Sequence, residues 1–326
     1  MSLLERSWYQ KHWYINPLTW LLLPLSVLFW LISNFRKLLF KLAVKKTITS
    51  SVPVIVVGNI SVGGNGKTPM VIWLCEYYKK RNKKAVVISR GYGGKSVHYP
   101  CDVNESSSPS QCGDEPVLIA KRTGFPVIVG PNRVENIKQA VDKYQPDVII
   151  SDDGMQHYQM GRHLELCIVD SKRQFGNGLL MPAGPLRETK KRLNSIDLVI
   201  ENGGSAQFHY ILAQSGLYKV KDDCPANFEN HKVSGIAVSA IGNPARFEVS
   251  LAQANINIID KKHFRDHHKF TKNDFANDSN INIFMTEKDA VKCKAFAKDN
   301  WYYLRVDASP NTNTQKKLER LLKTIT

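Results

Sequence analysis

Acidic residues are scarce at the front of this chain. Between positions 1 and 46, Glu5 stands alone against Arg6, Lys11, Arg36, Lys37, Lys41, Lys45 and Lys46. The whole chain carries 45 Lys and Arg against 29 Asp and Glu, a formal net charge of +16, so an anionic partner is expected: nucleic acid, an anionic membrane surface or a phosphorylated substrate. The basic block at the N-terminus points toward the membrane. Cysteine is sparse too. Cys75, Cys101, Cys112, Cys167, Cys224 and Cys293 form no Cys-x-x-Cys pair and no tight framework, which suits a reducing cytosol, and all six are read as free thiols. Internal repeats are lacking. The aromatic residues gather in the apolar N-terminus instead of interleaving with basic ones as a base-stacking platform requires, which ranks nucleic acid lower. With 326 residues and 43% hydrophobic content, the chain can bury two domain cores and is not disordered.

From Leu18 to Ile32 there is no charge, and Asn16-Pro17 supplies a cap followed by proline at the first helical position, so a helix is expected to start there. A bilayer crossing needs about 20 apolar residues. This run is shorter and contains Pro24, and Arg36 and Lys37 follow it where a signal peptide needs a small-residue cleavage site. The reading is a helix lying in the interface, with Trp13, Tyr14, Trp20 and Trp30 at headgroup depth and lysines facing anionic lipid. A buried core helix is the competing reading.

Ser61-Val62-Gly63-Gly64-Asn65-Gly66-Lys67-Thr68 follows the apolar run Pro53–Val57 and precedes a helical pattern from Met70 to Tyr78. Glycines at a strand-to-helix turn let backbone N–H groups converge on phosphate at the positive end of the helix. Lys67 is expected to reach the β- and γ-phosphates, and Thr68 to place its hydroxyl on Mg²⁺. Ser61 stands where the usual pattern opens with glycine, which makes this a variant loop. Further strands are expected at Lys84–Ser89, Pro126–Val129, Asp147–Ile150 and Leu164–Val169, the alternation of a parallel sheet with helices on both faces. Residues 91–113 read as a long loop. The segment 209–230 carries weak strand signals. Beyond it, Gly235–Val238 and Ile281–Met285 read as strands and Asn243–Ala252 as a helix.

Asp147-Val148-Ile149-Ile150-Ser151-Asp152-Asp153-Gly154 is an apolar strand ending in carboxylates, which a P-loop site needs to hold its ion. Asp152 and Asp153 are the candidate metal residues with Thr68, one approaching the metal and the other orienting water or a neighbouring loop. The expected architecture is α/β. It comprises an N-terminal membrane-associating segment (1–46), a P-loop NTPase-type parallel sheet flanked by helices (47–230) and a second, smaller α/β domain (231–326).

The P-loop, Ser89-Arg90-Gly91-Tyr92-Gly93-Gly94, Gly113-Asp114-Glu115-Pro116, Ser151-Asp152-Asp153-Gly154-Met155-Gln156-His157 and Met285-Thr286-Glu287-Lys288-Asp289-Ala290-Val291-Lys292 occur in this order. Together they resemble tetraacyldisaccharide 4′-kinase, the lipid A 4′-kinase family of Gram-negative outer-membrane biosynthesis, from about Asn16 to Asp307. The resemblance implies transfer of the γ-phosphate of ATP to the 4′-hydroxyl of a tetraacyldisaccharide 1-phosphate, giving the 1,4′-bisphosphate, at the cytoplasmic face of the inner membrane. It also implies Asp114 as the catalytic aspartate and His267 as its partner from the second domain. Arg90, Tyr92, Arg133, Gln156 and Arg187 match positions assigned to substrate or phosphate contacts. From the residues alone, Asp114 reads first as a helix cap, with Glu115 and Pro116 in the first turn, and the resemblance reverses that order.

His263 and His267, four apart, lack a clear third ligand, so no zinc site is expected. Glu287, Lys288 and Asp289 end a strand-like run and are expected to face the cleft, with no role assigned. A GTPase is the rival class, but Thr286-Glu287-Lys288-Asp289 fails the guanine-reading Asn-Lys-x-Asp pattern at Glu287. A membrane tether using the nucleotide only as a switch is another.

Overall fold

The computed structural model describes residues 3–9, 12, 14, 16–226, 228, 233–278 and 280–325; Lys11, Trp13 and His231 lie outside them. Helices α1 (Leu3–Trp8) and α2 (Pro17–Lys41) come first. There follow β1 (Val54–Gly58), α3 (Lys67–Lys79), β2 (Ala85–Ser89), β3 (Cys101–Val103), α4 (Pro109–Cys112), α5 (Asp114–Thr123), β4 (Val127–Val129), α6 (Arg133–Tyr144), β5 (Val148–Asp152) and β6 (Leu164–Asp170). The rest of the chain forms β7 (Leu198–Asn202), β8 (His209–Lys219), β9 (Val233–Ser239), α7 (Pro244–Gln253), β10 (Ile256–His263), β11 (Ile283–Thr286), α8 (Glu287–Cys293), β12 (Trp301–Pro310) and α9 (Thr312–Lys323).

β1 pairs in parallel with β5 on one side and β6 on the other, in register Val57↔Asp152 and Val57↔Leu166. It is buried along its whole length. Helices cover both faces of such a strand, which is why Val54 to Val57 are apolar without alternation. The strand order is β10-β9-β11-β12-β8-β7-β6-β1-β5-β2-β4-β3 in one sheet. The β7 to β8 join is short, Glu201↔His209 and Asn202↔Tyr210, after which β8 turns to a long antiparallel pairing with β12. The N-terminal and C-terminal halves therefore share a sheet but meet over few backbone bonds.

Two local expectations change. The segment 91–113 is not loop throughout: β3 pairs antiparallel with β4 (Cys101↔Val129), and one helical turn, α4, leads into α5. A three-residue edge strand is too short to leave a period in the sequence. The N-terminal helix does not stop at Pro24 but runs 25 residues. Losing the one hydrogen bond that a proline N–H would make does not end a helix whose flanking turns continue. Asn16 caps it through Oδ1, accepting from Leu18 N at 3.0 Å.

By length and composition α2 is apolar enough to cross a membrane. Only Thr19 and Ser26 of it are buried, so it is not a core helix. Leu21 is 75% and Phe35 64% exposed. It is attached to the rest at two places: Ser26 Oγ donates to Leu180 O (2.9 Å) and accepts from Ala183 N (2.9 Å), and further along Lys37 pairs with Glu188 (3.7 Å) while Phe40 lies beside the Tyr158 ring.

Candidate active site

The phosphate loop joins the C-terminal end of β1 to α3. Gly66 sits at φ +90° as the residue before the helix. A Cβ there would collide with the Asn202 amide and the Tyr210 hydroxyl, so glycine is required twice over, by dihedral angle and by crowding. Those two neighbours brace the loop: Asn202 Nδ2 donates to Asn65 O (3.0 Å) and Tyr210 OH to Gly66 O (2.5 Å). At the other end Ser61 is buried, bridges to Leu186, and its Oγ accepts from Asn65 Nδ2 at 2.9 Å. The serine that replaces glycine thus ties the loop to itself. Val62 N donates to Pro185 O (2.8 Å).

The acidic strand lies beside it. Asp152 ends β5 at 1% exposure, with Oδ1 unpartnered. Burial, reinforced by the Glu115 charge and resisted by Lys67, pushes its carboxyl up to about 7. Asp153, at φ +49°, receives Arg187 Nη1 on both oxygens at 3.0 Å, with Lys67 Nζ at 3.7 Å. Burial would raise its carboxyl, but Lys67 and Arg187 prevail and bring it to about 2. Adjacent carboxylates thus have opposite electrostatic settings, one strongly ionised in an ion-pair cluster and one buried and poorly solvated.

Asp114 opens α5, buried at 5% exposure, after Gly113 at φ +92°. His267 Nδ1 lies 3.0 Å from both Asp114 oxygens. Burial alone would raise the Asp114 carboxyl; the His267 bond and the charges of Lys288 and Lys292 overcome it and hold the group below the usual range. Burial likewise opposes charge on His267, yet the bond to Asp114 leaves its pKa raised. His267 adopts φ +61°, a left-handed conformation that costs a non-glycine residue about 1 kcal/mol or more. The motif Arg90–Gly94 packs against this turn. A Cβ on Gly94 would strike the backbone of Gln111, Cys112 and Gly113, and the Tyr92 ring centroid lies 4.8 Å from that of His267.

One cavity of ≈ 930 Å³ is walled by residues 62–68 of the loop, Asp152, Asp153, Arg90, Tyr92, Gln156, Arg187 and His267 among others; Ser61 and Asp114 lie behind this wall, Asp114 against His267. Gln156 Nε2 donates to Asn59 O and Glu188 Oε1, both at 3.0 Å, while its Oε1 accepts from Arg187 at 3.3 Å. Arg133 is placed differently from the other matched residues. It is 2% exposed, is absent from the cavity lining, and donates to Gly130 O (2.8 Å) and Asp152 O (3.2 Å). Burial pushes it down to about 10. Its guanidinium is spent on holding the end of β5.

Several wall residues were given no place in the site from sequence: Glu188, Asn202, Arg246 and, beyond their places in a motif or in the basic N-terminal block, Glu115, His157 and Arg36. Burial and then the charges of Arg133 and Arg90 push His157 down to about 4. These come from separate elements, and no spacing links them. Thr286, Glu287, Lys288 and Asp289 cap and begin α8; Lys288 Nζ reaches Glu115 Oε1 at 3.0 Å. Among the described residues no group of three or more His, Cys, Asp or Glu side chains is arranged to hold a metal ion. All six cysteines are free, with the Cys101 and Cys112 sulfurs 3.9 Å apart.

The profile of the family described as Tetraacyldisaccharide-1-P 4′-kinase matches residues 18–326. Relatives named tetraacyldisaccharide 4′-kinase include one from Pseudoalteromonas translucida, 53% identical over 99% of this chain and 98% of its own. Another, from Haemophilus influenzae, is 48% identical over 91% and 90%. The crystal structure of LpxK from Aquifex aeolicus in complex with ATP superposes with a TM-score of 0.79 at 30% identity, covering 94% of this chain and 99% of that one.

Proposed function

The chain belongs to the tetraacyldisaccharide 4′-kinase family, and from that membership we propose which of its residues bind the nucleotide, hold the metal and accept the proton. The enzyme is an ATP-dependent phosphotransferase of lipid A biosynthesis, acting on the 4′-hydroxyl of a tetraacyldisaccharide 1-phosphate. The observation that carries the residue assignment is the shared cavity, which has the phosphate loop on one wall and His267, bonded to Asp114, on another.

The loop of residues 61–68 cradles the triphosphate through the backbone N–H groups not already donated, as those of Val62 (to Pro185 O) and Asn65 (to Gly63 O) are, and Lys67 neutralises the β- and γ-phosphate oxygens. Thr68 and Asp152 would hold Mg²⁺. The fit rests on the unpartnered, buried Asp152 Oδ1 and on the habit of this ion of taking few protein ligands beside phosphates. When bound, it supplies charge neutralisation on the phosphates. Asp153 keeps Lys67 and Arg187 in place.

The 4′-oxygen attacks the γ-phosphorus and the bond to the β–γ bridging oxygen breaks, leaving ADP. The hydroxyl proton passes to Asp114, held in orientation by His267. Arg90, Tyr92, Gln156 and Arg187 receive the sugar and its phosphate, since guanidinium groups pair with phosphate oxygens. The short β7 to β8 join and the long pairing of β8 with β12 favour a division into two domains between Asn202 and His209 over the boundary at 230/231 expected from the sequence. The exposed apolar side of α2, flanked by Arg36, Lys37, Lys41, Lys45 and Lys46, associates with the cytoplasmic face of the inner membrane, where the acyl chains of the acceptor lie.

The test is incubation with γ-labelled ATP and tetraacyldisaccharide 1-phosphate, then location of the new phosphate. Label on the 4′-oxygen is expected. Turnover with GTP alone, or label released without a lipid acceptor, overturns the reading.

A further inference from the structure

The segment Glu287–Lys292 has no part in the chemistry so far, yet it lies against the dyad. Lys288 Nζ stands 3.0 Å from Glu115 Oε1, 3.3 Å from Asp266 Oδ1, 3.5 Å from His267 Nε2 and 3.8 Å from Asp114 Oδ2. Four polar groups from two other segments converge on one ammonium with 15% side-chain exposure. We propose that Lys288 is a positioning residue that selects the protonation state of His267. It does so by capping Nε2, which favours the tautomer with its hydrogen on Nδ1, donated to Asp114, and opposes the second proton that the Asp114 bond favours. The inference rests on the dyad reading above.

An ammonium only donates. Facing Nε2, it favours the tautomer in which that nitrogen presents a lone pair, and this leaves the hydrogen on Nδ1, where the ionised Asp114 can accept it. The same charge opposes a second proton on the ring. A cationic His267 would weaken Asp114 as a base, because a neighbouring positive charge stabilises the carboxylate.

The other groups facing His267 are Asp114 from α5, Asp266 from its own loop (Oδ1 to Nε2, 3.8 Å) and the Tyr92 ring; Glu115 of α5 and Lys292 of α8 stand behind these, against Lys288 and Asp114. Asp114 and Asp266 pull the ring toward protonation and Lys288 resists. Lys288 is the lysine in contact with it. Lys292 is occupied by Asp289 Oδ1 at 2.7 Å and reaches Asp114 at 3.9 Å. The placement of Lys288 is secured from behind. Thr286 Oγ1 accepts from Asp289 N (3.2 Å), and Asp289 Oδ2 accepts from Ala240 N (3.0 Å), so the first turn of α8 is pinned to the end of β9.

The experiment is ¹⁵N NMR of the His267 imidazole in the full-length protein without nucleotide, for wild type, Lys288→Met and Lys288→Arg. The pH profile of kcat/KM is measured alongside. Expected in wild type and Lys288→Arg is the Nδ1–H tautomer. In Lys288→Met the tautomer becomes mixed, the His267 titration rises by about one pH unit, and the acid limb of the profile moves up by the same amount. If Lys288→Met fails to fold, Lys288→Gln carries the same expectation. An unchanged tautomer and titration in the neutral variant overturns the proposal. The imidazole readout needs no turnover, so it fails or succeeds independently of whether Asp114 takes the substrate proton.

Discussion

At the scale of single residues, neighbouring carboxylates do opposite work because their surroundings differ. In the proposed mechanism Asp114, held by His267, receives the hydroxyl proton, whereas Lys67 acts on phosphate. Asp114→Asn is therefore expected to lower kcat by about 10²-fold or more while leaving the Kd for ATP within about twofold. Lys67→Ala should weaken nucleotide binding itself. Calorimetric titration beside steady-state kinetics separates the two.

Asp152 invites a second test, on pH. Its carboxyl is raised to about 7, so the folded state holds that proton more tightly than the unfolded chain does. This contribution to stability is present below the ordinary carboxylate range and is lost as pH rises toward 7. Asp152→Asn should therefore raise the Tm of the nucleotide-free protein at pH 8 by roughly 4 °C or more, while abolishing magnesium-dependent turnover. Binding of magnesium nucleotide should release a proton near pH 7 and almost none at pH 8.5, as calorimetry in two buffers of different ionisation enthalpy can show. Equal Tm values for the two proteins would contradict this account of Asp152.

At the scale of elements, α2 is the exception to the packing that governs the rest. The helices on the sheet bury an apolar stripe, but this one exposes Trp20, Leu21, Leu28, Ile32 and Phe35 and is tied by Ser26 to the 180–183 turn and by Lys37 and Phe40 to Glu188 and Tyr158. That turn is continuous with Pro185 and Leu186, which pair with Val62 and Ser61 of the phosphate loop. Deleting residues 1–35 is expected to free the protein from anionic vesicles and to raise the KM for the lipid acceptor more than that for ATP. The vesicle affinity of the intact protein should fall with added salt, as basic residues facing anionic lipid require. Retention on vesicles after the deletion would remove α2 as the anchor.

At the scale of the whole molecule, the halves joined by the short β7 to β8 pairing are also tied by a buried cation. Arg122, in the last turn of α5, pairs with Glu287 at 2.7 Å and with Asp307, whose other oxygen accepts from Ser215. Burial opposes the charge of Arg122, but Glu287 and Asp307 overcome that and raise its pKa. Arg122→Leu leaves Glu287 buried without its partner and is expected to cost about 3 kcal/mol. Glu287→Gln in that background should recover part of it. Denaturant unfolding of the two single variants and the double variant measures the coupling, and additive losses would deny it.

What could be read in the chain itself were features whose physics is local. The β1 run is apolar because both its faces are covered, Gly63, Gly64 and Gly66 free the backbone of a phosphate loop, and Asn16-Pro17 starts a helix; each carries its reason within a few neighbours. β7, β10 and β12 left no such mark, being half-exposed or set by their partners. Tertiary structure alone decided that Asp114 meets His267 across 153 positions, that Arg133 turns inward to the β5 backbone, and that Lys288 caps the imidazole. Those pairings arise from sheet order and burial. A charge far off in sequence acquires a definite partner and a shifted pKa only once folding has removed the water between them.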